Sequence, residues 1–152
     1  MRVSNEHVTA LRAALEGDEE AFERLTGGAD EEHLAPLSVL LAMAFSSVAR
    51  MRFPEGWTTT DVIRFVAWAR VQDEHDRDAF SPSLAEALLL AALRGMPLRG
   101  GFDDAATAYT QVALLRALTG DLDEKHMETL FGYACQQADR WLQMASGGVS
   151  NR

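Results

Sequence analysis

The chain has 152 residues, with 14 Lys and Arg against 23 Asp and Glu, a formal charge of −9. That length suggests one domain, able to bury roughly 70% of its unfolded surface without a disulfide or metal. The charge argues against ordinary DNA binding, in which clustered Lys and Arg neutralise phosphates. The one cysteine, Cys135, excludes an internal disulfide and fits a reducing, cytoplasmic setting.

Met1–Gly17 alternates charged and apolar residues like an amphipathic helix, not a signal peptide. Ser4–Leu15 places Val8, Leu11 and Leu15 on one face, with Ser4 as cap and Gly17 as stop. Asp18–Leu25 follows as a short helix capped by Asp18, with Phe22 and Leu25 inward. The segment Gly17-Asp18-Glu19-Glu20-Ala21-Phe22-Glu23-Arg24-Leu25, preceded by an amphipathic helix, resembles the opening of region 2 in extracytoplasmic-function sigma factors. The resemblance covers some two dozen residues. Nothing downstream resembles that family's aromatic-rich promoter-melting helix or its basic helix-turn-helix, so no function is carried over.

Asp30–Leu34 is read as a single turn, and Pro36 as the start of a longer helix to about Arg52. The uncharged run Leu34–Ala49 spans 16 residues and falls short of the ~20 apolar residues of a membrane span. Leu40, Ala44, Ser47 and Met51 share one stripe, which points Ser47 at the core. Its hydroxyl is expected to bond the Met43 carbonyl, as mid-helix serines do; the alternative is a polar group in a ligand cavity.

Trp57-Thr58-Thr59-Thr60-Asp61-Val62 is the clearest local signal. Thr58 and Asp61 make a capping-box start, and Trp57 and Val62 occupy the two staple positions. The helix runs to about Gln72 with Val62, Phe65, Val66 and Ala69 inward. Asp61, Arg64 and Gln72 lie opposite, with Trp68 among them. Asp73–Phe80 is an acidic loop. An EF-hand needs glycine at position 6 and glutamate at 12. Counting from Asp73 gives Asp78 and Leu84, and counting from Asp76 gives Ser81 and Ala87, so the loop is read as solvated chain.

Residues 82–94 form the most apolar helix. Ser81 caps it, Pro82 suits its first position and Gly95 its left-handed end. Only Glu86 and Arg94 are charged, and a helix apolar all round must be covered all round. Gly95–Asp103 is a loop in which Arg94 and Arg99 lie near paired glycines. Asp103-Asp104 then opens a helix over Ala105–Leu118, with Tyr109, Val112, Leu115 and Leu118 inward. Those acids occupy the helix end that a phosphate would need. Asp121 is expected to cap the last helix with Glu124 at its third position. That helix runs to about Met144, with Met127, Leu130, Phe131, Ala134, Ala138, Trp141 and Leu142 as its buried stripe. The last helix pair is similar to a tetratricopeptide pair, but the small-residue spacing does not hold.

His7, His33, His75 and His126 each fall in or near an acidic first turn or loop, without a Ser or Cys signature beside them. Asp123 and His126 lie one turn apart, two ligands where a structural metal needs four. No catalytic, cofactor or metal site is therefore assigned.

The expected fold is all-α: a single globular domain over residues 1–146, six or seven helices around a central helix at about 82–94, with a flexible tail at 147–152. The expected function is a cytoplasmic protein-interaction or regulatory module without catalytic activity, binding a protein partner or a second copy and neither nucleic acid nor membrane. Its surface would centre on Trp68 and Arg64. The alternative is a small-molecule binder or enzyme with a pocket between helices, using Ser47, Tyr109 and Arg99.

Overall fold

The computed structural model describes residues 2–73, 80–98 and 100–150, the last four by backbone alone. Most of the acidic loop (residues 74–79) and Arg99 lie outside the described residues. The architecture is all-α, with seven helices and no strand among the described residues. They are α1 (Asn5–Glu16), α2 (Glu19–Thr26), α3 (Glu31–Arg52), α4 (Thr59–Gln72), α5 (Pro82–Arg94), α6 (Asp104–Thr119) and α7 (Glu124–Ser150). Length alone suggests one domain. The internal contacts group the chain into two compact units, residues 1–44 with 122–152 and residues 45–121, each described by itself.

In the first unit, Gly17 closes α1 in the left-handed conformation at φ 76°, and α2 follows at once. The Asp18 carboxylate accepts from the Ala21 N–H and so caps α2. Leu11, Leu15, Leu40, Leu130, Phe131 and Leu142 are buried. Phe22 and Leu25, expected inward, are half-buried. Arg12 bonds Glu124 at 2.6 Å and places its guanidinium 5.0 Å from the centre of the Phe131 ring. The Val3 N–H donates to Asp139 at 2.8 Å, which ties the start of the chain to α7.

Two helix starts differ from expectation. Asp30 caps α3 by accepting from the His33 N–H at 2.8 Å, so Pro36 stands in the second turn. Proline there lacks the N–H that would reach the Glu32 carbonyl, but Glu32 is exposed and water can serve it. Asp123, not Asp121, caps α7, accepting from the His126 N–H at 2.8 Å, and Glu124 becomes the first residue. The later start is favoured because the His126 ring also bonds Asp123, at 2.6 Å.

The far end of α7 runs on to Ser150, past the expected stop near Met144 and into the expected tail. Glycine inside a helix costs about 1 kcal/mol but ends it only by turning left-handed. Trp141 was expected in the core and is 51% exposed. It overhangs the edge of the buried face of α7 and lines a groove with Leu34 and Val39.

In the second unit α5 contacts both α4 and α6, and α4 contacts α6. No residue from Leu84 to Leu93 is exposed, as an all-round apolar helix requires. The Ser81 hydroxyl accepts from Leu84 N–H at 3.3 Å, and Gly95 ends the helix at φ 65°. The end of α3 gives this unit the buried Phe45, Val48 and Ala49. Its last turn, Arg50–Arg52, is exposed throughout, so Met51 leaves the expected stripe at 62% exposure. The whole of α3 is also long and apolar enough to cross a membrane, 22 residues with a window of mean hydropathy 1.6. Counting only the uncharged run underestimated it, because the helix continues at both ends. A buried core helix meets the same criterion.

Two substitutions test this packing by chemical denaturation. Leu89 is fully buried on α5, and Leu89→Ala is expected to cost about 2–5 kcal/mol; a cost near zero removes α5 from the core. Thr110 is fully buried on α6, and its hydroxyl has no hydrogen-bond partner among the described residues. Thr110→Val replaces an unsatisfied hydroxyl by a methyl of similar size, so stability is expected to hold or rise by up to about 1 kcal/mol. A clear loss would mean that the hydroxyl has a partner.

Candidate functional site

The start of α4 is fixed by its own sequence. Thr58 N–H donates to the Asp61 carboxylate at 2.9 Å, and Asp61 N–H donates to the Thr58 hydroxyl at 3.3 Å. Such a reciprocal cap satisfies two otherwise orphaned amides. Val62, Phe65, Val66 and Ala69 are buried, which sets the rotation of the helix. Asp61, Arg64 and Trp68, spaced by three and four residues, then lie along the solvent side of the same helix.

That stripe forms one wall of a cleft of about 570 Å³. Ala117, Leu118 and Asp121 at the end of α6 form another, and Arg52, Phe53 and the turn Pro54–Trp57 close it. The floor is aromatic. Phe53 meets Phe65 edge-on, centroids 5.5 Å apart at 86°, and Phe65 meets Trp68 at 5.7 Å and 45°. The Arg52 guanidinium sits 5.4 Å from the Phe65 ring centre and 5.9 Å from that of Phe53. Trp68 is 49% exposed. A smaller cavity of about 180 Å³ shares Trp68 and Ala117 with the cleft and is lined further by Asp73 and Arg116. Trp68 therefore borders both spaces.

Arg52 and Arg64 are exposed and have no ion-pair partner among the described residues. Glu55, Asp61 and Asp121 line the same cleft. The site thus offers an aromatic face, two guanidinium groups and three carboxylates, a recognition surface of mixed charge.

The structure brings Trp68 and Arg64 together in this cleft. Ser47 and Tyr109 line none of the four cavities described, and Arg99 lies outside the described residues. Ser47 is half-buried. Tyr109 donates its hydroxyl to the buried Asp73 at 2.9 Å and so ties α6 to the end of α4. Cys135 is half-buried, and burial followed by the charge of Asp139 pushes its thiol upward, so it stays protonated at neutral pH. The Asp123 carboxyl is held below the ordinary range, first by the His126 backbone N–H and then by its ring.

No protein-family model, curated protein sequence or solved structure matches this chain.

Sequence reasoning reached Trp68 and Arg64 but missed Arg52, Phe53 and Ala117. Arg52 and Phe53 read as the end of a helix and the start of a turn. Only the fold sets them beside α4. The one advance signal was Trp57 before the capping box, which fixes how the chain enters α4.

The Asp73–Tyr109 bond is testable. A hydrogen bond to a buried carboxylate contributes about 1.5–3 kcal/mol. Tyr109→Phe is expected to lower stability by that amount in thermal or urea unfolding while the helical circular dichroism stays native. No change would show that Asp73 does not depend on the tyrosine.

Proposed function

We propose that this chain is a protein-interaction module without catalytic activity and that the cleft beside Trp68 is its docking site. The observation that carries the reading is a half-exposed tryptophan braced on buried Phe65, with two exposed arginines in the same cleft that have no ion-pair partner among the described residues. Tryptophan and arginine dominate interface hot spots, because both bury large contact areas and arginine adds directed hydrogen bonds. Bracing matters as much as exposure. A ring already held by packing loses little side-chain entropy when a partner covers it.

The partner is a segment of another protein that sets one apolar side chain against the indole. Residues of both signs flank that anchor, complementing Arg52 and Arg64 and the carboxylates of Glu55, Asp61 and Asp121 that line the same cleft. A cleft of about 570 Å³ falls within the ordinary range of binding pockets, about 300–1,000 Å³. A strongly basic ligand would meet Arg52 and Arg64, and a strongly acidic one Glu55, Asp61 and Asp121. The lone thiol and the acidic surface suit a cytoplasmic setting.

Selection from a displayed library of random peptides tests the reading directly. Bound peptides are expected to share an apolar anchor. Trp68→Ala is expected to weaken them about thirtyfold, the equivalent of roughly 2 kcal/mol, with folding stability nearly unchanged. Sedimentation of the wild type distinguishes self-association through the same face. If Trp68→Ala unfolds like a core deletion and leaves peptide binding unchanged, the indole is structural and the reading fails.

A further inference from the structure

The core face of α4 is complete with Val62, Phe65, Val66 and Ala69. The helix nevertheless carries a second apolar ridge. Ile63, Ala67 and Val71 follow one another at four-residue steps, one above the next on the side away from the core. All three are exposed, Ile63 at 46% and Val71 at 62%. None of them lines the cleft or any other cavity described. A helix apolar on two faces asks for cover on both. Ala67 leaves a dip between two larger side chains, the form that receives a side chain from a second helix.

The charge along this ridge is opposite to that of the chain. No acid falls between Asp61 and Asp73. Arg64 and Arg70 stand three residues on either side of Ala67. At about 3.6 residues per turn that puts one on each flank of the ridge. Both are exposed and have no ion-pair partner among the described residues. Asp61 stands round the helix on the cleft side, where its carboxylate accepts from the Thr58 N–H. In a chain of charge −9, this strip is positive.

We propose that the outer face of α4 docks an amphipathic helix of another protein, with its apolar seam on Ile63, Ala67 and Val71 and with Asp or Glu on its flanks opposite Arg64 and Arg70. Helices laid on apolar faces bind through anchors at three- and four-residue spacing, and flanking charges select the partner. A second copy of this face is the wrong complement. Antiparallel pairing of two such ridges about Ala67 sets Arg64 level with the other copy's Arg70 and offers neither an acid. A lipid surface is also the wrong complement. It extends far beyond the width of one helix, about 10–12 Å, and meets the acids around the strip, whereas a helix touches the strip alone. The proposal does not rest on the cleft, because Ile63, Ala67, Arg70 and Val71 lie outside it.

Two synthetic helical peptides test this on the full chain in about 0.15 M salt, where exposed charges act over about 8 Å. They share one leucine seam, and one carries Glu on its flanks where the other carries Lys. Net charge alone would make the Lys peptide the better ligand of an acidic protein, so the order of affinity is decisive. Calorimetric titration is expected to find the Glu peptide bound about tenfold more tightly than the Lys peptide. Ala67→Glu is expected to weaken the Glu peptide by about tenfold or more, and Arg70→Glu to erase most of the difference between the two. Both positions are exposed, so the helical circular dichroism is expected to stay native. If Ala67→Glu does not fold, Arg70→Glu and the order of the two peptides decide. A Lys peptide that binds as tightly, or a Glu peptide indifferent to both substitutions, overturns the proposal. A Glu peptide released by Trp68→Ala but not by Ala67→Glu sits in the cleft, and this proposal fails while the cleft reading stands. A dimer in sedimentation that Ala67→Glu breaks assigns the face to a second copy. Phosphatidylserine vesicles that bind the wild type but not Arg70→Glu assign it to a membrane. Either result overturns the proposal.

Discussion

The arrangement of the second unit depends on one requirement, the covering of α5. Leu84, Ala85, Leu88 and Leu89 are buried, and the rest of the helix from Leu84 to Leu93 is at least half-buried. Covering it needs one full apolar face from α4, and Val62, Phe65, Val66 and Ala69 supply it. Rotating α4 to hide Trp68 would expose several of these, at about 1.5–3 kcal/mol for each large side chain. Burying one indole cannot offset two or three such losses. Trp68 is thus held at the surface by the packing of its neighbours, and Phe65 serves both the core and the floor of the cleft.

Arginine placement follows a second regularity. Arg52 lies over Phe53 and Phe65, Arg94 lies 5.8 Å from the centre of the Trp57 ring, and Arg12 lies over Phe131. In a chain with nine more acids than bases, carboxylate partners are plentiful, and Arg12 also bonds Glu124, yet each of these arginines rests on a ring. Stacking uses the flat face of the guanidinium and leaves its in-plane N–H groups free to bond sideways. At Arg52 those donors border the cleft. A cation held on an aromatic floor is already ordered, so a partner carboxylate meets it at a smaller entropic cost than it would a free surface lysine.

Helix starts were legible where one residue type satisfies the first free amides. Asp18, Thr58, Ser81 and Asp103 all accept from an N–H three residues on, as their identities indicate. The signal failed where two residues competed for the role. Pro36 suits a first turn, but Asp30 lay upstream with a stronger cap. Asp121 and Asp123 both precede the apolar stripe of α7, and the His126 ring decided between them. The inward faces of α4 and α5 were legible because their periodicity is clean. Trp141 and Met51 were not, because periodicity gives a direction but not the distance to the next element. The cleft was half legible for the same reason: α4 supplies one wall in a readable stripe, while Arg52, Phe53 and Ala117 arrive from segments brought there only by the fold.

A capping residue followed three positions later by histidine, as in Ser4 and His7 on α1 and Asp123 and His126 on α7, shows how little a motif fixes without its partner atoms. Imidazole has one nitrogen that donates and one that accepts, and neutral histidine satisfies both only if its surroundings are of opposite kinds. His7 meets a donor at Nδ1 and an acceptor at Nε2, so both nitrogens are matched and the ring is locked in one tautomer. His126 meets an acceptor at Nδ1, so that nitrogen donates. The difference lies in the backbone. The His7 ring turns back to the amide of Ser4, while the His126 ring turns to the side chain of Asp123. A serine cap leaves its own amide for the histidine to accept, and an aspartate cap offers a charge instead. The same three-residue spacing therefore yields opposite hydrogen-bond polarities at Nδ1 in two helices of one unit, and the capping residue sets which.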